Sequence, residues 1–219
     1  YLLRACNSQF PTNTLNRSDV LSTWAGVRPV IGAEKSKDPS KERRDHAVWS
    51  DNGLITVSGG KLTTFRLIAL DALAAAKDNL PAAKEIFDDR VFLTPAITAE
   101  ALSPENTSWA QRLLGRYGDK AIDLVNESSS DERHNLNETE FSLAECRWAI
   151  KYEAVEHLDD LLLRRTRLGM CLPYGGRNLF PALKELFLSN QNWDDERWQQ
   201  EVTRYETIWT KYYSLPNHT

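Results

Sequence analysis

The spacing of apolar residues changes along this chain, and each change marks an element. The opening segment YLLRACNSQF reads as part of a helix. Leu21–Ile31 is rich in β-branched and aromatic residues and predicts an extended run that ends at Pro29 and Gly32. His46–Ser50 alternates apolar and polar positions. Asp51-Asn52-Gly53 follows, and Asn-Gly suits the positive φ angles of a tight hairpin turn. Leu54–Ser58 is a second short apolar run that stops at Gly59-Gly60, so a β-hairpin is predicted over 46–58. Immediately afterwards Leu62, Phe65, Ile68, Ala69, Ala72 and Ala76 recur at intervals of three and four, which predicts a helix over Lys61–Leu80, with Pro81 beyond it.

After Pro104 the helical period continues almost to the end. Trp109–Tyr117, Lys120–Val125, Ser142–Glu153, Leu158–Leu168, Asn178–Ser189 and Asp194–Tyr213 all carry an apolar stripe, and Ser128–Glu140 is a polar loop between them. No internal repeat is present. The expected fold class is therefore α+β: strands and one helix over residues 1–81, a connector over 82–104, and an all-helical domain over 105–219.

Composition narrows the functional classes. Hydrophobic residues make up 41% of the 219, enough for a buried core, and no apolar run approaches the ~20 residues of a membrane span. The net charge of −4 lacks the basic excess of a general nucleic-acid binder. Three cysteines without a CxxC, and four histidines without HxxxH or HExxH, leave no recognisable metal motif; the cysteines read as buried or free thiols of a reducing compartment, which points to a cytoplasmic protein. The chain starts at Tyr1 inside a helical pattern, so the expectation is a fragment of a longer protein.

The candidate chemistry lies between Arg28 and Arg66. The first amides of a helix have no intrahelical acceptor, and that end carries partial positive charge. In Gly59-Gly60-Lys61-Leu62-Thr63-Thr64, two glycines allow close approach of another group, Lys61 adds a full charge, and the threonines add hydroxyls. Such an end suits an anion or the electron-rich oxygen of a cofactor; the plainer reading is a tight turn with a solvated lysine. Arg28, between Gly26 and Pro29, could present its guanidinium fork to a phosphate, or could be an edge-strand arginine in solvent. Arg44, beside Arg43, carries the same pair of readings. His46 reads as a strand histidine in an ordinary hydrogen bond.

These segments, STWAGVRPV, RRDHAVW and GLITVSGGKLTTFR, followed by AECRWAIKYEAVEHLDDLLLRRTRLGM and WDDERWQQEVTRYETIW, resemble in order the C-terminal half of the FAD-dependent glycerol-3-phosphate dehydrogenase family. The resemblance covers nearly the whole chain. It implies a flavoprotein that oxidises sn-glycerol 3-phosphate to dihydroxyacetone phosphate and passes the electrons to quinone. It further implies that Arg28 and Arg44 contact the substrate, that Lys61 is catalytic beside flavin and substrate, and that Gly59, Gly60, Leu62 and Thr63 lie against FAD. The helical part would be a cap attached to the flavin-binding part. The sequence departs from the family in having no GxGxxG pyrophosphate motif. The chain alone is therefore expected to hold no FAD and to be inactive. Further expectations are peripheral association with the inner face of the cytoplasmic membrane, a homodimer, and no nucleic-acid partner. The alternative is a non-catalytic helical module that mediates dimerisation or membrane attachment. In Leu158–Leu168 the acids ahead of three arginines predict helix-surface ion pairs, and the tryptophans near the C-terminus predict helix packing.

Overall fold

The structure is a computed structural model of the 219-residue chain, and it describes residues 1–12, 14–27, 45–80, 96–136 and 139–216. The fold is α+β, a small two-stranded sheet with one helix and a larger helical region. Two compact units emerge, Gly26–Thr94 and the combination of Tyr1–Ala25 with Pro95–Thr219.

In the first unit, β1 (His46–Asp51) pairs antiparallel with β2 (Leu54–Gly59), with His46 opposite Gly59 and Asp51 opposite Leu54. The two-residue turn places Asn52 at φ 48° and Gly53 at φ 84°, as the Asn-Gly signal requires. A 3₁₀ turn over Leu62–Thr64 then leads into α2 (Phe65–Ala76), ahead of which α1 (Leu2–Gln9) belongs to the other unit. No described residue of this hairpin–helix unit is buried, and Trp49, Leu54, Leu62, Phe65 and Leu67 all expose large apolar surface.

The helical unit has its own core. A first cluster joins α4 (Thr107–Tyr117), α5 (Lys120–Asn126) and α6 (Leu143–Tyr152) through Trp109, Leu113, Leu124 and Ala144, with the short α3 (Ala99–Leu102) alongside α4. A second gathers Ile150, Leu158, Leu161, Leu162, Leu183 and Phe187 from α6, the following turn and α8 (Phe180–Asn190), closed by Trp198 and Tyr205 of α9 (Asp195–Tyr212). Trp193 stacks on Phe187, with ring centroids 4.3 Å apart, so the C-terminal tryptophans do pack helices.

Three expectations change. Of the predicted run Leu21–Ile31, residues 28–31 lie outside the described residues and the rest forms no strand; Leu21–Ala25 is bonded to the helical unit, with the Thr23 amide donating to the Tyr213 carbonyl at 2.8 Å and the Ser22 hydroxyl to the Met170 carbonyl at 2.8 Å. Those bonds explain why residues 1–25, read from the sequence with the mixed part, group with the helical unit. The predicted helix over Leu158–Leu168 is instead a π-helical turn, Asp160–Arg165. It breaks at Arg167 (φ 58°) before the four-residue α7, Leu168–Cys171.

Backbone broken in this way must be satisfied by other groups, and α9 supplies them. The Glu201 carboxylate accepts from the Leu158 amide at 3.1 Å and bonds His157 Nδ1 at 2.9 Å. Arg204 pairs with the buried Asp159, which also holds Arg164. Tyr205 donates to the Gly175 carbonyl at 2.6 Å, and Trp209 Nε1 to the Gly169 carbonyl at 2.7 Å. Arg164 also reaches Asp160 at 3.0 Å, as the ion-pair reading of this segment expects.

A Cβ at Gly169 would run into the Tyr205 hydroxyl and meet Leu163 at 3.0 Å. Gly169→Ala is expected to cost about 1–3 kcal/mol through overpacking; a denaturant midpoint unchanged from the parent would contradict this packing.

Candidate functional site: the glycine turn at the start of α2

The strand-to-helix turn is built from residues with little steric constraint. Gly59 and Gly60 stand at φ 79° and 82°, a region that only glycine enters cheaply. Here β2 ends and the chain reverses into the turn Leu62–Thr64. Thr64 closes this turn by donating its amide and its hydroxyl to the Lys61 carbonyl, at 3.0 and 2.9 Å. Among the described residues the amides of Leu62 and Thr63 find no acceptor. These are the free donors that a helix start leaves, at its electropositive end.

Beside them lies an open depression of about 530 Å³, lined by Val57, Gly59, Gly60, Lys61, Leu62 and Phe65 together with Ile68, Ala69 and Ala72 of α2. Its apolar side chains, two glycines and one lysine suit a flat, largely apolar ring whose edge accepts hydrogen bonds. Lys61, Gly59, Gly60, Leu62 and Thr63 are thus brought together in a single turn. Arg28 and Arg44 lie outside the described residues.

The sequence reading assigned no role to Asp71. His46 Nε2 is 2.7 Å from Asp71 Oδ2, and the histidine side chain is only 16% exposed. Asp71 follows Ile68 by three positions, so it shares the α2 face that meets the hairpin. A lone acid on an otherwise apolar face was the available signal. Among the described residues no group of acids, histidines and cysteines could hold a metal ion, and no helix is long and apolar enough to cross a membrane.

Residues 92–198 match the family described as the C-terminal domain of alpha-glycerophosphate oxidase. Curated relatives extend the similarity across the turn. Mitochondrial glycerol-3-phosphate dehydrogenases of Bos taurus and Homo sapiens are each 31% identical over 205 residues, covering 86% of this chain and 28% of their own length. Glycerol-3-phosphate dehydrogenase 2 of Mycobacterium tuberculosis is 31% identical over 220 residues, covering 94% of this chain and 37% of its own length. The chain thus spans well under half the length of these relatives. A match over 94% of the chain takes in both the glycine turn and the helical unit that holds most of the matched segment 92–198.

An added Cβ at Gly60 would stand 2.6 Å from Ile68 Cδ1 and 3.2 Å from His46 Cβ, whereas one at Gly53 would meet nothing within 4 Å. Both glycines have positive φ, so each alanine carries a conformational cost of about 1–2 kcal/mol. Gly60→Ala adds a clash and is expected to destabilise clearly more than Gly53→Ala. Equal denaturation midpoints for the two variants would contradict the close packing at this turn.

Proposed function

We propose that this chain is the C-terminal part of an FAD-dependent oxidoreductase that converts sn-glycerol 3-phosphate to dihydroxyacetone phosphate and delivers the electrons to quinone. The observation that carries the reading is the Gly59–Thr63 turn: amides with no acceptor among the described residues and a lysine at a helix end, beside an apolar depression, in a chain similar along 94% of its length to a glycerol-3-phosphate dehydrogenase.

The residues of the turn fit FAD. Two side-chain-free residues let a planar ring lie against backbone, and Leu62 and Phe65 offer it apolar cover. When bound, FAD supplies the hydride acceptor for the C2 carbon of the substrate. The protein's own contribution is electrostatic. Lys61, with the Leu62 and Thr63 amides, stabilises negative charge where it develops, and pre-oriented donors of this kind cost no reorganisation during reaction. Arg28 and Arg44 hold the substrate phosphate with guanidinium forks matched to its oxygens.

The chain has no GxGxxG, so the pyrophosphate half of the cofactor site belongs to other residues of the intact enzyme. We take the isolated chain to be inactive and without flavin for that reason. The exposed apolar surface of the hairpin–helix unit supports this, because a two-stranded hairpin has little independent stability. The helical unit acts as a cap with no catalytic residue. A cytoplasmic location, peripheral contact with the inner face of the cytoplasmic membrane and a homodimer complete the reading.

The test uses the full-length enzyme with glycerol 3-phosphate and a quinone analogue. Lys61→Met is expected to lower kcat by about 10²-fold or more. Arg28→Ala is expected to weaken substrate binding by about 2–5 kcal/mol, read as a raised KM. Unchanged kinetics in both variants would overturn these roles.

A further inference from the structure

The reaction assigned above leaves the His46–Asp71 pair without a role. Its place is specific. His46 is the ladder partner of Gly59, and its Cβ lies 3.2 Å from where a Cβ on Gly60 would stand. Asp71 is on α2, on the far side of the turn. The 2.7 Å contact between ring nitrogen and carboxylate therefore crosses the angle between hairpin and helix, whose vertex is Gly59–Gly60–Lys61.

A vertex made of two glycines cannot hold that angle itself, because glycine has the widest range of backbone conformations. The angle is set by what crosses it. Ile68 packs against Gly60, but apolar contact is non-directional and tolerates sliding. A hydrogen bond to a carboxylate has a narrow preferred length and direction. An imidazole held by a carboxylate is also fixed in tautomer and ring orientation, with Nε2 carrying the proton.

We propose that His46, anchored by Asp71, is a positioning residue for the Gly59–Gly60–Lys61 turn. The pair fixes where Lys61 and the free amides of Leu62 and Thr63 are presented. The mechanical part concerns the turn alone; its catalytic consequence rests on the function proposed above. Neither residue touches substrate or cofactor in this account.

The experiment uses the full-length enzyme with His46→Leu, Asp71→Ala, the double variant and His46→Gln. Alanine is the best helix former, so Asp71→Ala does not weaken α2 through propensity. Two readouts are taken: amide hydrogen exchange over residues 59–64, and kcat and KM for glycerol 3-phosphate. His46→Leu and Asp71→Ala are each expected to speed exchange in the turn and to lower kcat about tenfold or more, with a smaller change in KM, because a small misplacement of a catalytic group is costly. The double variant should be no worse than either single one, since both remove the same contact. His46→Gln, whose amide nitrogen can reach the carboxylate, should restore most of the loss.

Parental exchange and kcat in both single variants would overturn the proposal, as would additive losses in the double variant. If Asp71→Ala does not fold, the comparison of His46→Leu with His46→Gln decides, and equal kcat in those two would overturn it. An enzyme inactive on glycerol 3-phosphate before any substitution would refute the function, while exchange in the turn would still decide the role of His46.

Discussion

Backbone groups that leave a regular element must find hydrogen-bond partners, and this demand shapes both units in opposite ways. In the helical unit the chain departs from α-helix at the π turn, at Arg167, and at Tyr174–Gly176, where three successive residues take positive φ. Each departure finds partners within the unit. The Thr166 hydroxyl donates to the Leu161 carbonyl at 2.7 Å, Arg116 donates to the Arg165 carbonyl at 2.6 Å, and α9 adds bonds through Glu201, Tyr205 and Trp209. Helix α9 is therefore more than a covering helix. Its polar side chains let an irregular segment stay buried at little cost in unmet hydrogen bonds.

In the hairpin–helix unit the same demand is left open. The chain reverses at two glycines, and the amides that follow have no acceptor among the described residues. An unmet donor pair at a helix start is costly if buried and useful if a ligand supplies the acceptor. Here it sits on exposed surface beside Lys61 and apolar side chains. The contrast separates the two units: irregular backbone of the helical unit is bonded from within it, and among the described residues the amides after the glycine turn are not.

The sequence made this division readable to different depths. Asn52-Gly53 and Gly59-Gly60 need positive φ, so the hairpin and its end were legible to the residue, and the three-and-four spacing from Leu62 to Ala76 located α2. The helical part was legible wherever apolar periodicity ran unbroken. It failed at Leu158–Leu168, because a helical stripe cannot distinguish an α-helix from a π turn whose carbonyls are answered by Thr166 and by Arg116 of α4. It failed again at Leu21–Ala25, where β-type composition served a segment bonded to the end of α9 rather than a sheet. Lys61 and its neighbours stood out because glycine and lysine together at a predicted helix start have a physical meaning. Asp71 did not, because its partner His46 lies 25 positions away in sequence, and only the packing of α2 on the hairpin joins them.

The central claim is that the Gly59–Thr63 turn forms one wall of a flavin site that oxidises glycerol 3-phosphate. The most direct test is the visible absorption of the purified full-length enzyme under anaerobic conditions, before and after glycerol 3-phosphate is added without an electron acceptor. The account predicts a yellow protein whose flavin absorption bleaches on addition of the substrate, as the bound ring is reduced. A protein that carries no flavin, or one whose flavin spectrum does not respond to glycerol 3-phosphate, would contradict it.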